Sequence, residues 1–216
     1  MSDDTIPASS PLAKRLLGQG FAPRGEVFTK GEALWWFAGK GNVELVRLLI
    51  DEGANLDWTH EVEKTTAVHR AAAKGQCDIL AHLRGAGADL VRSDHLGFQP
   101  LQWAILGCHA EAARLLFASP GARVDCRMST GSGKTLLHVA ADFNNCAAIT
   151  LLVREFGADL QWLDDEGNTA LHFACMSGCL KAAQLLLDMG SQTTWVNNEG
   201  DTPLHSAVSS GVPQIV

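Results

Sequence analysis

The chain has 216 residues, 46% hydrophobic and 19% charged, which suits one or two compact globular domains. No run of about 18 apolar residues exists, excluding a membrane-spanning helix within the chain; the polar start "MSDDTIPASSP" has no secretory apolar core, and Ser2 stands where N-myristoylation needs glycine. The net charge of −7 is uneven: residues 1–127 carry 14 Lys+Arg against 15 Asp+Glu and residues 128–216 carry 3 against 9, so the second half suits a basic partner surface and not a phosphate backbone.

In chain order, residues 1–11 are polar and predict a disordered tail. "LAKRLLGQG" (12–20) predicts an amphipathic helix, with Ser10-Pro11 as N-cap and first turn. Gly20 lies 33 residues before Gly53, so residues 12–30 are expected to form a degenerate N-terminal capping half-repeat. Residues 31–216 then repeat. "EALWWFAGKG" (32–41), "TAVHRAAAKG" (66–75), "QPLQWAILGC" (99–108), "TLLHVAADFN" (135–144), "TALHFACMSG" (169–178) and "TPLHSAVSSG" (202–211) align, with the fourth residues spaced by 34, 33, 36, 34 and 33.

The segments between them agree. "VELVRLLIDEGANLD", "CDILAHLRGAGADL", "EAARLLFASPGARVD", "AAITLLVREFGADLQ" and "LKAAQLLLDMGSQT" have apolar residues at i, i+3/i+4 and i+7, then a glycine. Each predicts a helix closed by a left-handed C-terminal glycine. Thr opens the first helix of each pair as a cap, paired small residues let the helices approach, and Gly41, Gly75, Gly178 and Gly211 fall where a tight turn needs positive φ.

A period near 33 residues bearing T-P-L-H-x-A, matched residue for residue by "TPLHSA" (202–207), resembles the ankyrin repeat. The resemblance implies an all-α repeat solenoid: an ankyrin array of paired antiparallel helices joined by β-hairpin fingers, with about six repeats. It also implies that the recurring His69, His138, His172 and His205 tie each helix start to a hairpin, and that Trp35 and Gln102, in their places, weaken two of those anchors. The sixth repeat stops about one turn into its second helix, leaving an apolar face uncovered. A longer parent protein is therefore expected.

Chemistry finds little support. "GSGKT" (131–135) imitates a phosphate-binding loop, but the first glycine of that motif would fall on Met128, and "RVDCRM" before it is too charged for a buried strand. The repeat register explains it as a lengthened fingertip. His172, Cys175 and Cys179 could suggest zinc, yet each occupies a framework position and a turn divides the two cysteines. No nucleophile elbow is present, and Cys108-His109 falls where Gly-His is the family pattern, as a drifted turn. The six scattered cysteines fit buried thiols in a reducing compartment, cytosol or nucleus. No catalysis, cofactor or metal is expected.

The resemblance implies binding of a protein or peptide partner through the fingers and the inner face of the first helices. The fingertips offer His95, Leu96 and Phe98, then Ser129 to Lys134, then Asp165, Glu166 and Asn168, then Asn198, Glu199 and Asp201. The inner face offers Lys74, Leu106, Phe143 and Met176. Apolar Phe98, Leu106, Phe143 and Met176 would form an exposed strip or tuck between repeats. Trp58, Trp162 and Trp195 recur at one hairpin position, either stacking along the finger row or, for Trp195, contacting a partner. The residues expected to touch the partner are His95, Phe98, Leu106, Phe143, Asp165, Glu166, Met176, Trp195, Asn198 and Glu199. A monomer is expected, with a partner of basic and apolar character, no nucleic acid and no membrane contact. The competing expectation is a docking or regulatory arm of a larger enzyme, such as a palmitoyltransferase or kinase.

Overall fold

The computed structural model describes residues 4–7, 9–22, 28–124, 127, 131–209 and 211. Met1–Asp3 and Ala8 of the expected tail, Met128–Thr130 of the lengthened fingertip and most of the sixth repeat's turn lie outside the described residues. The chain divides into two compact bodies, Met1–Ala122 and Arg123–Val216.

The N-terminal body opens with strand β1 (Thr5–Ile6), helix α1 (Pro11–Gly18) and strand β2 (Phe28–Thr29). The two strands pair antiparallel, Thr5 opposite Thr29 and Ile6 opposite Phe28. Residues 5 and 6 are therefore ordered rather than part of a disordered tail, and the physical reason is Asp4. Its backbone carbonyl accepts from Lys30 N (2.7 Å), and its carboxylate accepts from Gly31 N (3.3 Å) and Asn55 N (3.0 Å). Phe21 then closes the end of the body against Phe28, Phe37 and Trp36, with ring centroids 5.4 to 6.2 Å apart. Ser10 caps α1 and Pro11 stands in its first turn, as the sequence predicts.

Three helix pairs follow: α2 (Lys30–Lys40) with α3 (Val43–Asp51), α4 (Ala67–Ala73) with α5 (Cys77–Gly85), and α6 (Pro100–Leu106) with α7 (Ala110–Phe117). α4 packs between α2 and α6, while α5 packs between α3 and α7, giving an inner and an outer layer. The C-terminal body repeats the plan with α8 (Leu136–Asp142), α9 (Cys146–Thr150), α10 (Ala170–Met176), α11 (Leu180–Asp188) and α12 (Pro203–Ser209). Here α10 lies between α8 and α12.

The core sits between the layers. Ala71, Ala72, Ala140, Ala141, Ala174 and Cys175 are buried where inner helices approach closely, and Leu80, Leu83, Leu116, Leu152 and Leu186 fill the outer helices' inward stripe. Each such leucine contributes about 1.5–3 kcal/mol of apolar burial, and no single pair could bury its stripe alone.

The turns follow the predicted glycines. Gly41, Gly75, Gly178 and Gly211 have φ of 78°, 66°, 67° and 69°. In the third and fourth repeats Cys108 (φ 59°) and Asn144 (φ 53°) adopt the same left-handed conformation, which confirms Cys108-His109 as a drifted turn. The extra residue before Gly157 is absorbed locally: α9 runs on into a π-helical turn, Leu151–Glu155, that widens the helix by one residue.

Candidate interaction surface

The histidines build the frame that carries the fingers. The Thr135 backbone N–H donates to His138 Nδ1 (2.9 Å), so that nitrogen is the acceptor and the proton sits on Nε2. Nε2 then donates to the carbonyls of Trp162 (3.0 Å) and Asn168 (3.1 Å) in the next finger. His69 reaches the Phe98 carbonyl and His172 the Asp201 carbonyl in the same way, both at 3.1 Å. Burial lowers the pKa of all three rings, which are held neutral. His205 repeats the local bond to Thr202 but is exposed.

Of the two substituted anchors, Trp35 keeps a tie to the next finger. The Trp35 indole N–H donates to the Thr65 hydroxyl (3.1 Å), reaching the next finger as histidine does. Gln102 Oε1 accepts from Gln99 N (2.9 Å), which preserves the helix cap. Trp35 thus takes over the reach of the histidine and Gln102 its capping bond.

Three of the fingers are tight loops closed by an acid or amide at the root, and His60 takes that place in the first. Asp94 Oδ1 accepts from Leu96 N (2.8 Å) and Phe98 N (3.0 Å). Asp164 accepts from Glu166 N and Asn168 N, and Asn197 accepts from Glu199 N and Asp201 N. Neighbouring tips are joined by single backbone bonds: His95 N to Glu63 O, Asp165 N to Ser132 O and Asn198 N to Glu166 O. These bonds set the backbone of the described fingertips.

The G-S-G-K-T stretch is a fingertip. Thr135 caps α8 through His138, and the Lys134 ammonium lies 4.2 Å from the Phe173 ring centroid, so neither side chain is posed for a phosphate or its cation. Gly133 (φ 63°) passes so close to Asp165 and Arg127 that a Cβ there would collide with both side chains. Cys175 is buried and its thiol is pushed up to about 11 by desolvation, so it stays protonated. Cys179 Sγ donates to the Asp142 carbonyl (3.3 Å), and burial raises its pKa as well. Among the described residues, no His, Cys, Asp and Glu cluster could hold a metal ion.

The ten expected contact residues divide. Asp165, Glu166, Asn198 and Glu199 come together on adjacent tips, where Asn198 Nδ2 also donates to the Asp165 carbonyl (3.1 Å). Asp165 is clamped by Arg127 (3.0 Å), whose guanidinium lies 5.5 Å from the Trp162 ring centroid. Glu166 and Glu199 are exposed, and among the described residues their carboxylates have no partner. Phe143 is 77% exposed after α8, Met176 is half-buried at the end of α10, and Trp195 is 36% exposed.

In the N-terminal body, His95 is exposed but its ring bonds the Glu63 carbonyl (2.7 Å), and Leu106 is half-buried. Phe98 is a correction to the exposed strip: it is 2% exposed. It immediately precedes the cap of α6, its N–H is held by Asp94 and its carbonyl by His69, so the side chain turns inward at the root of the finger. The three recurring tryptophans share a position and not a neighbour. Trp58 lies 6.1 Å from Trp35, Trp162 carries Arg127, and Trp195 faces solvent. Arg127 and Trp35 escaped sequence reasoning as site builders; the Trp at a histidine position was the available signal for the second.

Layered helix pairs, left-handed turns and histidine-tied fingers define a helical repeat solenoid. The chain belongs to the ankyrin repeat family: the model for ankyrin repeats in three copies matches residues 8–94 and 137–216. It is 27% identical over 144 residues to human Neurogenic locus notch homolog protein 2, covering 63% of this chain and 5% of that protein's length. The chain thus spans a small fraction of that curated relative. The ankyrin repeat domain of Bcl-3, a member of the IkappaB protein family, superposes with a TM-score of 0.70 at 28% identity, covering 83% of this chain and 80% of that one. A chain from the Bdellovibrio bacteriovorus complex of a predatory endopeptidase with an immunity protein shares the fold, with a TM-score of 0.67 at 24% identity over 82% of this chain and 91% of that one. Among the described residues, no helix is long and apolar enough to cross a membrane.

Proposed function

We propose that this chain is a non-catalytic protein-binding module of about six repeats behind an N-terminal cap, acting as a monomer in the cytosol or nucleus. Its C-terminal body captures a peptide or domain of basic and apolar character through the fingertips and the turn ends of the inner helices. The observation that carries this is the pair of unpartnered carboxylates, Glu166 and Glu199, on adjoining tips that Asn198 locks together. Phe143 and Trp195 supply exposed aromatic surface in the same body, and aromatic anchors dominate binding energy in most interfaces. Asp165 and Asn198 also hold the tips in place. The immunity protein's complex with an endopeptidase supports protein binding as the use of this fold.

The test is affinity capture with the wild type and with two variants, Phe143→Ala/Trp195→Ala and Glu166→Gln/Glu199→Gln. Each is expected to lose at least about tenfold in partner recovery, the scale of one or two hot-spot contacts. Recovery of the same partners undiminished by both variants would overturn the assignment.

A further inference from the structure

We infer that the inner face of the N-terminal body holds a second recognition site, an arginine pocket for a carboxylate side chain of an acidic peptide segment. Arg70, on α4, is the centre of it. Its guanidinium lies 4.4 Å from the Trp35 ring centroid, and this stack uses its face while leaving its edge donors free. Among the described residues none of those donors has an acceptor and no carboxylate lies within ion-pair distance; the Nε is buried without a partner.

The polar groups around it bond one another. The pocket is lined by Glu63, Thr65, His69, Ala73 and Trp103 as well as Arg70. The Trp35 indole donates to the Thr65 hydroxyl, which donates in turn to the Glu63 carboxylate (3.2 Å). The Trp103 indole donates to Asp94 Oδ2 (2.8 Å), and both nitrogens of His69 are bonded. The two nearby acids each accept from a neutral donor, while the Arg70 guanidinium has no acceptor among the described residues. A planar guanidinium held on an indole is pre-organised for bidentate pairing with a carboxylate.

A second feature points the same way. Gly39 sits within α2, where glycine disfavours the helix relative to alanine. A Cβ at Gly39 would come within 3.0 Å of Arg70 Nε and 3.2 Å of a terminal guanidinium nitrogen. The missing methyl is the room in which the arginine lies. Lys40 and Lys74, the residues after Gly39 and Ala73, are exposed, and Arg70 is the one cation among the lining residues, beside the exposed Glu63. Charge complementarity therefore selects an acidic occupant, the opposite of the partner proposed for the C-terminal body. The site stands independently of that proposal.

The test uses the whole chain and two immobilised pools of short random peptides, identical except that every Glu and Asp of one is Gln and Asn in the other. Wild type is expected to be retained about tenfold better on the acidic pool, as for one charge-assisted bidentate contact. Arg70→Met is expected to retain neither pool preferentially, Arg70→Lys to fall between, and Lys181→Met, in the C-terminal body, to match wild type. The Arg70 Nε–H resonance in wild type, assigned by its loss in Arg70→Lys, is expected to move on titration with soluble acidic peptides. Phe143→Ala/Trp195→Ala is expected to keep the acidic preference, which separates this site from the other. Equal retention of both pools by wild type, an unchanged preference in Arg70→Met, or a stationary resonance would each overturn the inference.

Discussion

His138 holds two repeats together with one ring: Nδ1 takes the Thr135 N–H while Nε2–H bonds the carbonyl of Trp162 at 3.0 Å. Protonation would place a hydrogen on Nδ1 against a backbone donor and break the cap. His69 and His172 are held alike, and burial lowers all three pKa values from 6.5. Because the folded values lie below the unfolded one, the stability from these rings is complete above pH 6.5 and is lost as pH falls below it. Urea unfolding from about pH 8 to about pH 5 should show stability falling only in the lower part of the range, by up to about 1.4 kcal/mol per pH unit for each histidine. A flat or rising profile through that range would contradict the anchoring scheme.

Trp35 replaces a histidine, and its N–H bond to Thr65 should be measurable. Trp35→Phe keeps most of the ring surface and removes the donor, so it should cost about 1 kcal/mol in chemical unfolding. Trp35→Ala also removes a buried ring that contacts Trp58, His60 and Arg70, and should cost about 3–5 kcal/mol. No cost for Trp35→Phe would mean that the bond contributes nothing.

Gly133 and Lys134 separate a fingertip from a nucleotide loop. Gly133→Ala imposes both positive-φ strain and a collision with Asp165 and Arg127, so thermal unfolding should register a loss of about 2 kcal/mol or more. Lys134→Ala removes only the contact with the Phe173 ring and should cost about 0.5–1 kcal/mol. Isothermal titration of wild type with ATP or GTP should give no heat of specific binding; binding abolished by Lys134→Ala would restore the phosphate-loop interpretation.

The period and caps were legible because they obey local rules that recur. Thr at 66, 135, 169 and 202 and the glycines after each helix need only their own neighbours to act. What lay beyond reach depends on partners distant in sequence. Asp4 orders the start of the chain by bonding Gly31 and Asn55, and nothing in "MSDDTIP" announces that. The insertion before Gly157 is countable from spacing, but its π-helical form is not. Phe98 looked like surface because fingers usually are, yet its backbone ties to Asp94 and His69 direct the ring inward. Of the proposed contact surface, Glu166, Glu199, Phe143 and Trp195 were readable as residues the framework does not require. The clamp that Arg127 sets on Asp165 was not, since it closes 38 residues away.

Protein capture by the fingertips and inner turns of the C-terminal body is tested most directly by site-specific photo-crosslinking. A photoreactive phenylalanine analogue is placed at Phe143, at Trp195 or at Leu187, an exposed residue of the outer helix α11. In cells, adducts to the same partner are expected from positions 143 and 195 and absent from 187. A partner trapped from position 187 and from neither of the other two would contradict the account.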